Sequence, residues 1–238
     1  MTVHAPPRPV ALKLHAENIP GELKAVAHWV IWRYTFQRGK WQKPPIAIRT
    51  GRPADANDPA VWTTFDDALK HYDNRRRKLD GVGFVFTDDD PYSGIDLDEC
   101  RDPGSGELQP WAEEIVCEVC SYTEVSPSGT GVKIVVRGKL PPGSKTRKGR
   151  IEVYSRAHYF TLTGNRLPGS PTAVWARQDA LEGLYEGLFG GDDPKGPGAG
   201  QGGVSGPLRR RNRGQGDGGP ERRKVRPAVG RWNSRIPL

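Results

Sequence analysis

A succession of short apolar, β-branched runs fills the middle of the chain, and each has room for one strand and little more. They are GVGFVF (81–86), SGIDLD (93–98), YTEV (122–125), GVKIVVR (131–137), RIEVY (150–154) and YFTLT (159–163). Alternation of side chains along these runs and the turn residues between them are strand signals. Earlier in the chain, AVAHWVIWRYTF (25–36) reads as a further strand, with PPIAIR (44–49) as its antiparallel partner across 37–43. Helical periodicity is confined to three places: a stretch that opens on the T-x-x-D of Thr64 and runs to about Arg76, the stretch 108–120, and 173–188 with Gly190 and Gly191 near its stop. Strands outnumber helices and are joined by short turns, which predicts an α+β (mixed α/β) fold with antiparallel pairing rather than a doubly wound parallel sheet.

Composition bounds the surroundings of this fold. Mean hydropathy is -0.67, hydrophobic residues make up 35%, and no run approaches the roughly 18 apolar residues of a membrane span. With no apolar signal core near Met1, a cytoplasmic protein is expected, with no membrane partner. Residues 1–20 are Pro-rich and read as a flexible N-terminus, 21–190 as the folded domain, and 191–238 as a disordered Gly/Pro/Arg-rich basic tail or linker. The net charge of +8 is concentrated in that tail: it holds 11 Lys+Arg and 4 Asp+Glu, which leaves 25 and 24 for the rest of the chain. Its arginine clusters, 209–213 and 222–226, suit phosphate contacts or a solvated linker, and both readings stay open. Cys100, Cys117 and Cys120 argue against a disulfide framework. The C-x-x-C of Cys117 and Cys120 lacks the second ligand pair of a structural zinc site, so buried helix cysteines are the preferred reading.

Three features carry chemistry. In GIDLD, Asp96 and Asp98 stand two apart in a strand, so both carboxylates point to one face. Such a pair repels itself unless a proton or a cation intervenes, and a hard divalent ion is the usual solution. In SPSGTG, Ser126, Ser128 and Thr130 supply hydroxyls, while Gly129 and Gly131 let backbone N–H groups approach an anion. Lys133 follows on the next strand as a phosphate contact. Taken alone, SPSGTG fits an ordinary hairpin turn better than a phosphate loop. Glu152 stands between Ile151 and Val153 and needs a partner if buried; it reads as a third metal ligand or as the partner of Arg150 or Lys148. Glu124 rivals it for the first role.

In this order, the features resemble the primase-polymerase domain of phage and plasmid replication proteins, a branch of the archaeo-eukaryotic primase superfamily. The resemblance covers about residues 20–170 and rests on WVIWRY, GKWQKPP, WTTFDDAL, GVGFVF, GIDLDEC, YTEVSPSGTGVKI and IEVYSRAHYFTLTG. It implies a palm-like sheet resembling an RNA-recognition fold beside a smaller α/β subdomain. It also implies template-directed nucleotidyl transfer with Mg²⁺ or Mn²⁺ as cofactor, template DNA and nucleoside triphosphates as partners, and a helicase domain or protein as a possible companion. By position, Asp96, Asp98 and Glu152 match the metal-binding motifs. Ser126, Ser128, Gly129, Thr130, Gly131 and Lys133 match the nucleotide-binding motif, with His158 and Lys43 as further candidates for nucleotide contact. Two positions depart from the pattern: Lys133 stands where His is frequent, and His158 where Arg is frequent, with Arg156 displaced. A degenerate domain that binds DNA without extending it and a metal-dependent nuclease are the alternatives. The basic run 145–150 reads as a template or primer track, or as a solvated loop.

Overall fold

The computed structural model describes residues 6–190; the basic tail expected at 191–238 lies outside the described residues. Strands and helices follow in the order α1 (Gly21–Lys24), β1 (Trp29–Trp32), β2 (Thr35–Gln37), β3 (Lys40–Gln42), β4 (Pro45–Ile46), α2 (Phe65–Asp73), β5 (Gly81–Phe86), β6 (Tyr92–Leu97), α3 (Pro110–Val119), β7 (Tyr122–Val125), β8 (Val132–Arg137), β9 (Arg147–Lys148), β10 (Ile151–Tyr154), β11 (His158–Leu162) and α4 (Gln178–Phe189). The strands form a four-stranded sheet, β11-β5-β1-β4, a five-stranded sheet, β7-β8-β6-β10-β9, and the small β2-β3 ribbon. Every paired strand is antiparallel. The fold is therefore α+β with antiparallel sheets, as the spacing of the apolar runs predicts.

The two faces of the five-stranded sheet differ in chemistry because side chains alternate. Ile95, Leu97, Val132, Ile134, Val136, Ile151 and Val153 form one face and pack with Ile115 and Val119 of α3 and Leu181, Leu184 and Leu188 of α4. Tyr92, Tyr122 and Val135 lie on the other face, in a second core with Trp29, Ile31, Phe84, Phe86 and Phe160 of the four-stranded sheet. Gly94 sits where the sheets approach. A Cβ there would lie 2.3 Å from Phe160 Cε2 and 2.7 Å from Phe86 Cε2. The link between β5 and β6 is fixed by buried Asp90, which accepts from Thr87 N at 2.6 Å, Tyr92 N at 2.8 Å and Lys139 Nζ at 3.3 Å.

Several expectations are corrected. The run 25–36 is two strands, not one, and 37–43 is not a plain turn but contains the return strand of a ribbon. Arg38 (φ 51°) and Gly39 (φ 78°) both adopt positive φ there, as a tight two-residue hairpin requires. The last helix starts at Gln178 rather than near Ala173, because the preceding segment pairs with the end of β8: Arg137 N donates to Trp175 O and Arg177 N to Arg137 O. Residues 6–20, read as flexible, lie against the fold. Leu14 and Ile19 are buried, Leu12 N donates to Pro127 O and His15 N to Thr163 O. The helix cysteines are not buried: Cys117 is exposed and Cys120 half-exposed, and Cys100, outside the helix, is the buried one.

The close approach at Gly94 gives a test. Gly94→Ala should destabilise the protein by about 1–3 kcal/mol through overpacking between the sheets, read as a lower urea midpoint at unchanged slope.

Candidate active site

The cross-strand register lines up a row of charged residues on the inter-sheet face. Asp96 lies opposite Lys133 on one side and opposite Glu152 on the other, Lys133 lies opposite Glu124, and Glu152 lies opposite Arg147. Directly paired residues share a face. Since Ile95 and Leu97 belong to the helix-side core, Asp96 points the other way, into the cleft between the sheets. Asp98, two residues on, lies just past the end of β6, where its N–H donates to Arg150 O at 2.9 Å. The separate strands thus bring Asp96 and Glu152 side by side, with Asp98 at the strand end.

Counter-charges sit within the row. Lys133, 4% exposed, makes an ion pair with Asp96 Oδ2, and its ammonium lies 4.3 Å from the centre of the Phe160 ring. Glu152 Oε1 pairs with Arg147 Nη1 at 2.7 Å, and Glu152 Oε2 accepts from the Tyr154 hydroxyl at 2.8 Å. Arg147 is therefore its partner, while Arg150 reaches Glu99 and Lys148 donates to Leu188 O. The basic run 145–150 is thus largely engaged within the protein. Burial, and then the neighbouring Asp96 carboxylate, push the Asp98 carboxyl above its ordinary range. Asp96 Oδ1 is buried without a hydrogen-bond partner.

Among the described residues, no group of three or more His, Cys, Asp or Glu side chains is arranged to hold a metal ion. The residues nevertheless fit a cation in part: an orphaned carboxylate oxygen on Asp96 stands near Asp98, whose ionisation Asp96 and Glu152 oppose. Arg147, with its side chain 61% exposed, is the neighbour of Glu152 that can swing away at least cost.

Glu124 and Glu152 look alike in sequence, and the structure separates them. Glu124 is fully buried; it accepts from Tyr122 OH at 2.7 Å, Thr163 N at 2.6 Å and Gly164 N at 2.9 Å. Burial raises its carboxyl above the usual range, and these donors pull the other way. It ties the chain after β11 to β7, which leaves Glu152 as the carboxylate open to the cleft.

The Ser126–Gly131 turn abuts the end of β6: a Cβ on Gly131 would lie 2.6 Å from Leu97 O and 3.5 Å from Asp98 Cα. Its backbone N–H groups are used within the turn, Gly129 N to Ser126 O at 2.9 Å and Gly131 N to Ser126 Oγ at 3.2 Å. The hydroxyls form a relay, Ser126 Oγ to Ser128 Oγ at 3.0 Å and Ser128 Oγ to Thr130 Oγ1 at 2.9 Å. What the turn offers an anion is therefore hydroxyl groups more than free amides.

Lys43 and His158 come from the opposite wall. Lys43 follows β3; burial, and then Lys133, push its ammonium below the ordinary range, while Asp96, Asp98 and Glu152 oppose the shift. His158 opens β11 and stacks on Tyr154, with ring centres 3.6 Å apart and planes 6° apart. Burial, and then Lys133, lower its pKa to about 4. The imidazole is neutral at physiological pH and serves as a stacking and hydrogen-bonding group rather than a cation.

Two tests follow. Between the ordinary histidine value near 6.5 and about 4, the unfolded chain binds a proton at this site that the folded one does not, so stability falls as pH falls through that window. His158→Phe keeps the stack and should flatten the acid slope by at most ~1.4 kcal/mol per pH unit, measured by urea denaturation across that range. Glu124→Ala should cost several kcal/mol, roughly 1–3 for each donor left unpaired, with Glu124→Gln less severe in the same measurement.

No protein-family model matches the chain. A DNA primase-polymerase of Nitratiruptor phage NrS-1 is 36% identical over 152 residues, which cover 62% of this chain and 20% of the relative. The chain thus spans about a fifth of the relative's length. This likeness agrees with the order of the motifs: the chain is similar to part of a phage DNA primase-polymerase.

Proposed function

We propose that residues 21–190 form a primase-polymerase catalytic domain of the archaeo-eukaryotic primase type, which joins nucleotides on a DNA template. The observation that carries this reading is the side-by-side register of Asp96 and Glu152, with Asp98 at the strand end. The likeness to a phage DNA primase-polymerase supports it. The order β7-β8-β6-β10, with α3 joining β6 to β7, supports reading the five-stranded sheet as palm-like and similar to an RNA-recognition sheet.

Asp96, Asp98 and Glu152 are the residues that would hold Mg²⁺ or Mn²⁺, Arg147 moving off Glu152 as they do so. When bound, one ion would activate the attacking 3′-hydroxyl and the other would stabilise the leaving pyrophosphate. The chain's own groups supply the rest. Lys133 and Lys43 neutralise triphosphate charge from two sides of the cleft. The hydroxyls of Ser126, Ser128 and Thr130 orient phosphate oxygens at the end of β6, and the backbone at Gly129 and Gly131 sets the shape of the turn. The flat Tyr154–His158 stack offers a surface beside Glu152 against which a base or sugar can rest.

A second reading is favoured by one observation: Lys133 and Arg147 already pair with Asp96 and Glu152. A domain whose acids are neutralised by its own cations would bind template without extending it. Extension of a primed template with Mn²⁺ separates the two, since a pure binder gives no product. On the catalytic reading, Asp96→Asn/Asp98→Asn should lower primer extension by at least roughly a thousandfold, the scale of losing transition-state charge stabilisation. Its thermal midpoint should also fall, because buried Lys133 loses its counter-charge, whereas Asp98→Asn alone leaves that pair intact and should lose extension with the midpoint kept or raised. Extension retained in that double variant would sink the metal assignment. Shortening of labelled DNA without nucleotides would favour the nuclease alternative.

A further inference from the structure

Outside the basic tail the chain is almost neutral, yet its cations are not evenly spread. From Arg33 to Pro53 there are six basic residues, Arg33, Arg38, Lys40, Lys43, Arg49 and Arg52, and no acidic one. A second basic cluster, 75–78, is Arg-Arg-Arg-Lys. The fold joins them. Arg77 Nη1 donates to Ile48 O at 2.9 Å, and Arg33 Nη2 donates to Gly51 O at 3.0 Å, which ties the 75–78 turn, the 47–52 turn and the root of the β2-β3 ribbon together. Arg38, Lys40, Arg49, Arg52, Arg75, Arg76 and Lys78 line the outside of this wall, all of them exposed. None of those seven makes an ion pair among the described residues.

Two details set this wall apart from a merely solvated basic surface. First, Phe36 and Trp41 face each other across the ribbon, ring centres 5.3 Å apart, and both are half-exposed amid these cations. Secondly, the ribbon leads directly into Lys43, which feels the charges of Asp96, Asp98 and Glu152. A basic surface interleaved with aromatic faces suits a nucleic-acid strand whose bases are unstacked, because phosphates take the cations and bases take the rings. A stacked duplex offers the phosphates but not the base faces.

We infer that the β2-β3 ribbon and the 47–52 and 75–78 turns form a single-stranded DNA track that delivers the template to the acidic row. The assignment rests on the catalytic reading only for the strand's role; the contact itself does not. The counterion release that drives such binding makes it steeply salt-dependent.

The test is fluorescence anisotropy of a labelled oligothymidylate, and of a duplex of equal length, with the full chain over a series of KCl concentrations. Nucleotide and divalent ions are left out, so the outcome does not depend on catalysis. Arg38→Glu/Lys40→Glu and Arg75→Glu/Arg76→Glu should each weaken single-strand binding by roughly tenfold or more at low salt. Each should also flatten the log K against log[KCl] slope by ~0.7 for every phosphate that the variant no longer neutralises. Trp41→Ala should weaken binding roughly tenfold with the slope unchanged. Lys13→Glu/Arg137→Glu, an equal charge change at exposed positions elsewhere, should have a much smaller effect. Thermal melts confirm that each variant is folded. Equal losses in the control and the wall variants, or no loss in the wall variants, would overturn the track. A preference for duplex with no effect of Trp41→Ala would overturn its assignment to a single strand. A chain that binds through this wall but never extends a primer would sink the catalytic reading and leave the track standing.

Discussion

Lys133 is a nearly buried ammonium, and the arrangement around it depends on that charge being met. It lies between Glu124 and Asp96 in the cross-strand row, makes its ion pair with Asp96, and places its charge over the Phe160 ring. A buried cation without such partners would lose several kcal/mol of hydration. The contact to Phe160 also joins the two sheets, because that ring belongs to the four-stranded sheet while Lys133 belongs to the five-stranded one. The absence of a side chain at Gly94 allows the same ring to come so close. Charge pairing and sheet packing are therefore one constraint, and the cleft that holds the acidic residues is its consequence.

Within that cleft the acids are held in different states of balance. Glu124 is satisfied by backbone and hydroxyl donors and acts as a tie between β7 and the chain after β11. Glu152 is met by Arg147 on one oxygen and by the Tyr154 hydroxyl on the other. Asp96 has one oxygen on Lys133 and one without a partner, and Asp98 is burdened by its acidic neighbours. Unmet negative potential is thus greatest at Asp96 and Asp98, beside the hydroxyl turn. A polyanionic substrate enters such a site only with compensating positive charge. Lys43 and Lys133 provide part of it from the protein itself.

The cations elsewhere follow a similar logic of placement. The run 145–150 is conspicuous in sequence, but three of its cations are engaged within the protein, by Glu152, Leu188 O and Glu99. Of the less conspicuous cations of 33–53 and 75–78, Arg38, Lys40, Arg49, Arg52, Arg75, Arg76 and Lys78 stay outward, gathered by the two backbone contacts of Arg33 and Arg77. Net charge conceals this, since acidic residues elsewhere cancel the sum without covering the surface. Local charge and exposure, rather than the total, identify where a phosphate backbone can lie.

The sequence by itself determined the strands and their faces. Strict alternation of Ile95, Asp96 and Leu97, and of Ile151, Glu152 and Val153, can bury one face only by presenting the acids on the other. The T-x-x-D start of α2 was legible for a similarly local reason, as Thr64 Oγ1 accepts from Asp67 N at 3.2 Å. The likeness to a primase-polymerase was legible too, through motifs in a fixed order. Only the tertiary structure decided which acids share a row, because register between distant strands is set by packing rather than by neighbours in the chain. It alone separated Glu124 from Glu152, whose local sequences are equivalent. It placed Arg147 rather than Arg150 on Glu152, used the turn's amides internally, and drew 173–177 out of a helix to pair with β8. At 173–177 a long-range contact outweighed the local helical preference, since it satisfied backbone groups at the end of β8 that a helix there would have left without these partners.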